Sequence, residues 1–97
     1  MKAVVVLDNL RSVHNVGSIF RTSNAVGVEK IYLCGTTPTP VDNKGQRRKD
    51  FAKVALGAED TVAWEYTENT FECIRKLKEE KFYVISLEQE EKAVDYK

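Results

Sequence analysis

Asn9-Leu10-Arg11-Ser12-Val13-His14-Asn15-Val16-Gly17-Ser18-Ile19-Phe20-Arg21 places asparagine, arginine and serine side chains at spacings that suit recognition of an anion or a sugar. Asn15 is a good helix N-cap and Gly27 a good helix stop, so Val16 to Val26 reads as a helix of about three turns. Arg21 lies about 9 Å of helical rise beyond Asn15. Helical side chains lean toward the N-terminus, so its guanidinium runs back over Gly17 toward the cap. Its neighbours on that side, Gly17, Ser18, Asn24 and Ala25, are small or polar, which leaves a low surface for a partner. Asn15, Arg21 and the free amides of the first turn can then converge on one anionic or polar group. The plainer reading is that Asn15 only caps and Arg21 is a solvated charge, and spacing alone leaves both open.

The elements that would position these residues follow from the apolar pattern. Lys2 to Leu7 reads as a strand whose run Ala3 to Leu7 is apolar without alternation, as in a parallel strand covered on both faces. On the helix behind it, Val16, Ile19, Phe20, Ser23 and Val26 share the side that packs on the sheet. Ile31 to Cys34 and Thr61 to Tyr66 read as further strands, with Trp64 a large core or edge residue. A short helix from about Arg48 to Leu56 lies between them. Thr67 or Asn69 caps a helix to about Lys81, with Phe71, Ile74 and Leu77 as its core stripe and Arg75, Lys76, Lys78, Glu79 and Glu80 wet. Phe82 to Leu87 is a fourth strand. Strands alternating with helices predict an α/β fold, a parallel β-sheet with flanking helices and right-handed crossovers.

The 97 residues carry 15 Lys and Arg against 15 Asp and Glu, a net charge of zero. The balance is uneven: residues 1–54 hold nine basic against four acidic side chains, and residues 55–97 hold six against eleven. In the basic half, Cys34 to Asn43 has loop composition, too long for a tight turn, and leads into Lys44-Gly45-Gln46-Arg47-Arg48-Lys49, with Lys53 a turn further on. This loop and the one from Asp8 to His14 both leave the carboxyl ends of strands, where ligands of parallel sheets bind. Arg47, Arg48, Lys49 and Lys53 are therefore candidate contacts for RNA phosphates; a solubilising face is the alternative. Cys34 and Cys73 lack metal-like spacing and read as reduced, buried thiols. Glu88 to Glu91 reads as a solvated acidic loop, and no metal site is expected. The absence of an 18-residue apolar run and of a signal peptide predicts a cytoplasmic protein with no membrane partner.

The run from Asn9 to Thr22, followed by Ala25-Val26-Gly27-Val28, resembles the first conserved motif of the SpoU (TrmH-type) RNA 2′-O-methyltransferases of the SPOUT superfamily. Lys53-Val54-Ala55-Leu56-Gly57-Ala58-Glu59 and Trp64 resemble the stretch that this family places after its second strand. The resemblance implies methyl transfer from S-adenosylmethionine to a ribose 2′-hydroxyl of tRNA or rRNA. It matches Arg21 to the family's catalytic arginine and Asn15 to its partner asparagine. Arg11 is a candidate for a neighbouring phosphate, and Gly17 for clearance beneath Arg21 or the substrate. His14 is set aside as a general base, because the motif does not require histidine there.

Residues 1–97 are thus expected to form a single partial domain, the Rossmann-like N-terminal part of an α/β-knot. The knotted C-terminal part, expected to hold S-adenosylmethionine, is absent, and the full-length form is expected to be a homodimer. On this expectation the chain alone is inactive and leaves strand edges and apolar faces exposed. A non-catalytic RNA-binding or dimerising module, or a small α/β domain binding a phosphorylated metabolite, are the other readings.

Overall fold

Every apolar position of the first strand, β1 (Ala3–Asp8), from Val4 to Leu7 is buried, because different helices cover its two faces. The structure is a computed structural model that describes residues 2–88. Val5 and Leu7 join one apolar cluster, while Val4 and Val6 join another with Cys34 and Leu77. The unbroken apolar run is therefore two alternating sets, one for each face.

After β1 the chain forms α1 (Val13–Val26), β2 (Lys30–Cys34), α2 (Lys49–Ala55), α3 (Ala58–Thr61), β3 (Trp64–Thr67), α4 (Thr70–Glu79) and β4 (Tyr83–Glu88). The strands lie in the order β3-β2-β1-β4, and all three pairings are parallel. Val5 sits opposite Ile31 on one side and Ile85 on the other. The first two crossovers travel in one direction, and α1, α2 and α3 contribute to one cluster. The third returns past β1 in the opposite direction, and α4 contributes to the other, as right-handed crossovers require. The predicted parallel α/β architecture is the one observed.

The two faces are unequal. Phe20 of α1 and Phe51 of α2 meet edge to face, centroids 5.1 Å apart, both fully buried. Gly17 lies in this same seam: a Cβ there would stand 3.0 Å from Val54 Cβ and 3.4 Å from the Ala55 nitrogen. On the opposite face Leu77 is the buried residue of α4, with Cys73 and Ile74 partly covered.

Several boundaries and faces differ from expectation. The helix predicted from Val16 begins at Val13 because Ser12 caps it. Val26, expected on the sheet side, is 71% exposed, because it lies at the helix end beside the open edge at β4. Phe71, expected in the core stripe, is 73% exposed, because the packed face of α4 is the one shared by Cys73, Ile74 and Leu77, and Phe71 lies to its side. Thr61 is the end of α3, a helix that was not expected, and β3 starts only at Trp64. Leu56 and Gly57 both take left-handed conformations, φ 52° and 90°, and turn the chain so that Ala58 and Val62 go under the sheet. Asn69 is the N-cap of α4, as one of the two predicted alternatives. Glu88 ends β4, and the rest of the acidic stretch, 89–91, lies outside the described residues. Tyr83, Ile85 and Leu87 leave apolar surface exposed along β4, an edge of the described sheet, as anticipated.

Phe51→Ala should cost about 3–5 kcal/mol, the usual loss for emptying a buried phenylalanine site. Urea unfolding measures it, and a loss below about 1 kcal/mol would show that the α1–α2 seam is not the main core. Burial, followed by the neighbouring Cys34, pushes the Cys73 thiol up to about 12, and burial raises Cys34 as well. Below the ordinary thiol value of 9.0 both folded and unfolded states are protonated, so stability there is complete. As pH rises from that value toward about 12 the unfolded chain releases the proton and the folded chain keeps it, so stability falls. Cys73→Ala should flatten this alkaline loss in urea midpoints, and an identical slope would separate the loss from this thiol.

Candidate nucleic-acid site

Ser12, in extended conformation, accepts a hydrogen bond on Oγ from the Asn15 amide at 3.0 Å, and its carbonyl accepts from the Val16 amide at 3.0 Å. Asn15 is thus the third residue of α1 and not its cap. A serine three residues earlier satisfies the same amide that an Asn15 cap would have left to others. The correction frees the Asn15 side chain, which is exposed. Val13 and His14 supply the uncapped amides of the first turn. Arg21 is exposed further along α1, and Arg11 is exposed in the loop before it.

Gly17 requires a second correction. It is buried against Val54 and Ala55 of α2, so its missing side chain lets two helices cross and does not give Arg21 or a substrate an open floor. Arg21, one turn beyond, stands on α1 past this crossing.

The loops at the carboxyl ends of β1 and β2 are stitched together. The Thr37 hydroxyl, 3% exposed as a residue, accepts from the Leu10 amide at 3.1 Å and lies 2.7 Å from the Cys34 carbonyl and 3.1 Å from that of Leu7. Asn9 takes the left-handed conformation, φ 55°, in which its amide donates to the Cys34 carbonyl and its Oδ1 accepts from the Thr36 amide at 3.0 Å. Its Nδ2 donates to Asp8 Oδ1, and Thr70 at the start of α4 donates to that same oxygen, each at 2.8 Å. Gly35, φ 64°, completes the fit: a Cβ on it would stand 2.0 Å from Asn9 Oδ1. None of these residues was singled out from sequence. An Asp-Asn pair closing a buried strand was the available signal, since asparagine tolerates the left-handed region.

The basic segment is more ordered and less free than its composition implied. The loop does contain a tight turn: Asp42 Oδ1 accepts from the amides of Lys44 and Gln46, Gly45 takes φ 80°, and Val41 bridges Arg47 in antiparallel fashion. Arg47 forks onto Asp60 and lies 3.9 Å from Glu59; Arg48 holds Asp50 at 3.0 Å and lowers its carboxyl below the usual range. No ion pair among the described residues engages Arg11, Arg21, Lys49 or Lys53. Arg47 and Arg48 thus shape the loop, and Lys49 and Lys53 on the exposed side of α2 remain the open cations beside it. No group of metal-ligating side chains occurs among the described residues, and no helix there is long and apolar enough to cross a membrane.

Arg21 and Asn15 both lie on a helix that begins at the carboxyl end of a parallel strand, with Asn15 inside its first turn where a cap was expected. The SpoU rRNA Methylase family matches residues 2–97. The chain belongs to this family. The 23S rRNA (guanosine-2'-O-)-methyltransferase RlmB of Neisseria meningitidis serogroup B is 30% identical over 82 residues, 84% of this chain and 30% of the relative. A Staphylococcus haemolyticus protein assigned to the TrmH family of tRNA/rRNA methyltransferases is 32% identical over all 97 residues, 36% of its own length. The chain thus spans about a third of these curated relatives. Among solved structures, the A. aeolicus TrmH/SpoU tRNA modifying enzyme superposes with a TM-score of 0.73 at 20% identity, covering 94% of this chain and 54% of that one. An rRNA methyltransferase from Sinorhizobium meliloti gives 0.71 at 21% identity, covering 95% and 41%. These superpositions establish the SpoU fold for the described sheet and helices.

Gly35 and Gly45 both have positive φ, but no atom lies within 4 Å of a Cβ built on Gly45. Gly45→Ala should therefore cost only the backbone strain, about 1–2 kcal/mol, and Gly35→Ala should cost more because it also displaces Asn9. Equal losses in chemical denaturation would remove the Asn9–Gly35 interlock.

Proposed function

We propose that this SpoU family chain provides the RNA-facing part of an S-adenosylmethionine-dependent methyltransferase acting on a ribose 2′-hydroxyl of tRNA or rRNA. The observation that supports the reading is that Arg21 and Arg11 have no acidic partner among the described residues and, like Asn15, are exposed, where Arg47, Arg48 and Arg75 all hold carboxylates. An exposed arginine without such a partner on a helix beside the loop layer is available to a phosphate or ribose.

The apolar cleft at the β4 edge does not fit the methyl donor. The cleft between α1 and β4, about 260 Å³, is lined by Val5, Ile19, Val26, Ile85 and Leu87 with the hydroxyls of Ser18 and Thr22, and no charged group meets an amino acid moiety or a sulfonium.

The chain's own residues act on the acceptor. A guanidinium stays protonated in ordinary sites, so Arg21 is a clamp and not a base. It holds the phosphate or ribose of the target nucleotide and stabilises the charge that develops as the 2′-hydroxyl proton passes to that phosphate. Asn15 orients the ribose or Arg21, Arg11 meets a neighbouring phosphate, and Lys49 and Lys53 extend the phosphate track, with Arg47 and Arg48 framing the loop. The same reading places the complete protein in the cytoplasm as a homodimer.

In the complete protein, Arg21→Ala should lower methyl transfer by on the order of 10²–10³-fold, the usual loss for one transition-state donor, and leave S-adenosylmethionine affinity unchanged. Loss of both would make Arg21 structural, and unchanged transfer would leave only a binding module. Lys49→Ala with Lys53→Ala should flatten the salt dependence of RNA binding by roughly 0.7 in slope per lysine.

A further inference from the structure

Tyr66 reads from sequence only as the end of a strand, and its surroundings give it a second character. Along β3 it alternates onto the same face as Trp64, which packs against the larger apolar cluster, yet Tyr66 is 44% exposed. Its hydroxyl donates to the Gly35 carbonyl at 2.8 Å, and Gly35 is the residue fitted against Asn9 in the loop layer. An exposed aromatic ring is thereby tethered at its polar tip. Rotamer freedom that a partner would otherwise have to arrest is reduced before anything binds. Tyr66 and Trp64 form the aromatic side of an open cleft of about 670 Å³, and the rest of its lining comes from the loop between β2 and α2. The polar groups of that loop are largely engaged. The Thr37 hydroxyl serves the loop layer, the Thr39 hydroxyl donates to the Val41 carbonyl at 2.7 Å, Asp42 Oδ1 accepts from two backbone amides, and Arg48 holds Asp50. The cleft therefore offers ring faces and few convergent hydrogen-bonding groups.

We propose that this cleft seats an unpaired base of the bound RNA, stacked on Tyr66 without its edge being read, while Lys44 and Lys49 meet the flanking phosphates; the proposal rests on the reading of the chain as an RNA-acting protein. Every base has a π-face, so a ring that stacks and makes no edge contacts accepts any of them. The charge at the rim suits the same occupant. Lys44 and Lys49 each follow a lining residue, Asn43 and Arg48, and both are exposed with no acidic partner among the described residues. Aromatic faces bordered by free cations are how proteins hold single strands without sequence preference. A protein partner would call for a continuous apolar patch, and here the apolar surface gives way to lysines on the loop side. The volume lies within the range of sites that enclose a small ligand, which admits a nucleotide.

The test measures binding of the complete protein to labelled oligoadenylate and oligouridylate by fluorescence anisotropy, with heparin as a polyanion that has no bases. Tyr66→Leu should weaken both oligonucleotides by roughly tenfold, the scale of one lost aromatic–base stack, and leave heparin affinity and the salt slope unchanged, because no phosphate contact is removed. Tyr66→Phe keeps the ring and should keep the affinity. Equal losses in the Leu and Phe variants would make Tyr66 only a tether for Gly35 and overturn the platform, as would a matching loss of heparin binding. Circular dichroism checks that the Leu variant is folded; should it unfold, Tyr66→Trp decides, since a larger ring should tighten both oligonucleotides and unchanged or weaker binding overturns the platform. A protein that binds folded RNA with no effect of Tyr66→Leu on either oligonucleotide loses the platform and keeps the proposed function, whereas one that binds no RNA loses both.

Discussion

Two short polar side chains, Thr37 and Asn9, hold the working end of this molecule together. A parallel sheet delivers its loops to one edge but gives no reason for loops from different strands to stay in register. Here the Thr37 hydroxyl satisfies the Leu10 amide and faces the Leu7 and Cys34 carbonyls, while Asn9 ties the next turn of the same loop to Thr36. Buried backbone groups left without partners would each cost about 1–3 kcal/mol, so these contacts make the paired state of the two loops the low-energy one. Asp8 extends the layer to the first residue of α4 through Thr70. The start of α1 inherits its position from this layer.

The packing below explains why that position is stable. The α1 and α2 helices cross at Gly17, with the Phe20–Phe51 pair beneath, so the helix bearing Asn15 and Arg21 rests on the thicker of the two cores. Contacts on regular elements with packed support hold side chains more tightly than contacts on loops alone. The thinner face, where α4 buries Leu77, carries no candidate RNA residue.

Much of this was legible in the sequence, and the departures have physical causes. The apolar run of β1 and the short strand at Ile31 follow from local pattern, which does not depend on distant residues, and the same pattern narrowed the cap of α4 to Thr67 or Asn69. The helix start was misread because Ser12 and Asn15 are both good caps, and only backbone conformation decides between them. The role of Gly17 depends on Val54, far along the chain, and α3 depends on two successive left-handed residues that spacing does not reveal. The basic cluster at 44–49 with Lys53 suggested a loop of phosphate contacts, but pairing of Arg47 with Asp60 and of Arg48 with Asp50 is set by the turn at Asp42–Gly45 and by α3.

The zero net charge therefore conceals a division of labour among the cations. Arg47 and Arg48 are neutralised close by, on Asp60 and Asp50, which costs phosphate attraction but fixes the loop that leads into α2. Arg21, Arg11, Lys49 and Lys53 stay without acidic partners among the described residues, so their attraction for a polyanion is not already consumed. Phosphate contacts position an RNA without reading it, and base contacts read it without supplying much of the long-range attraction. A chain that tied every arginine internally would lose the long-range attraction, and one that freed them all would lose the fixed loop before α2.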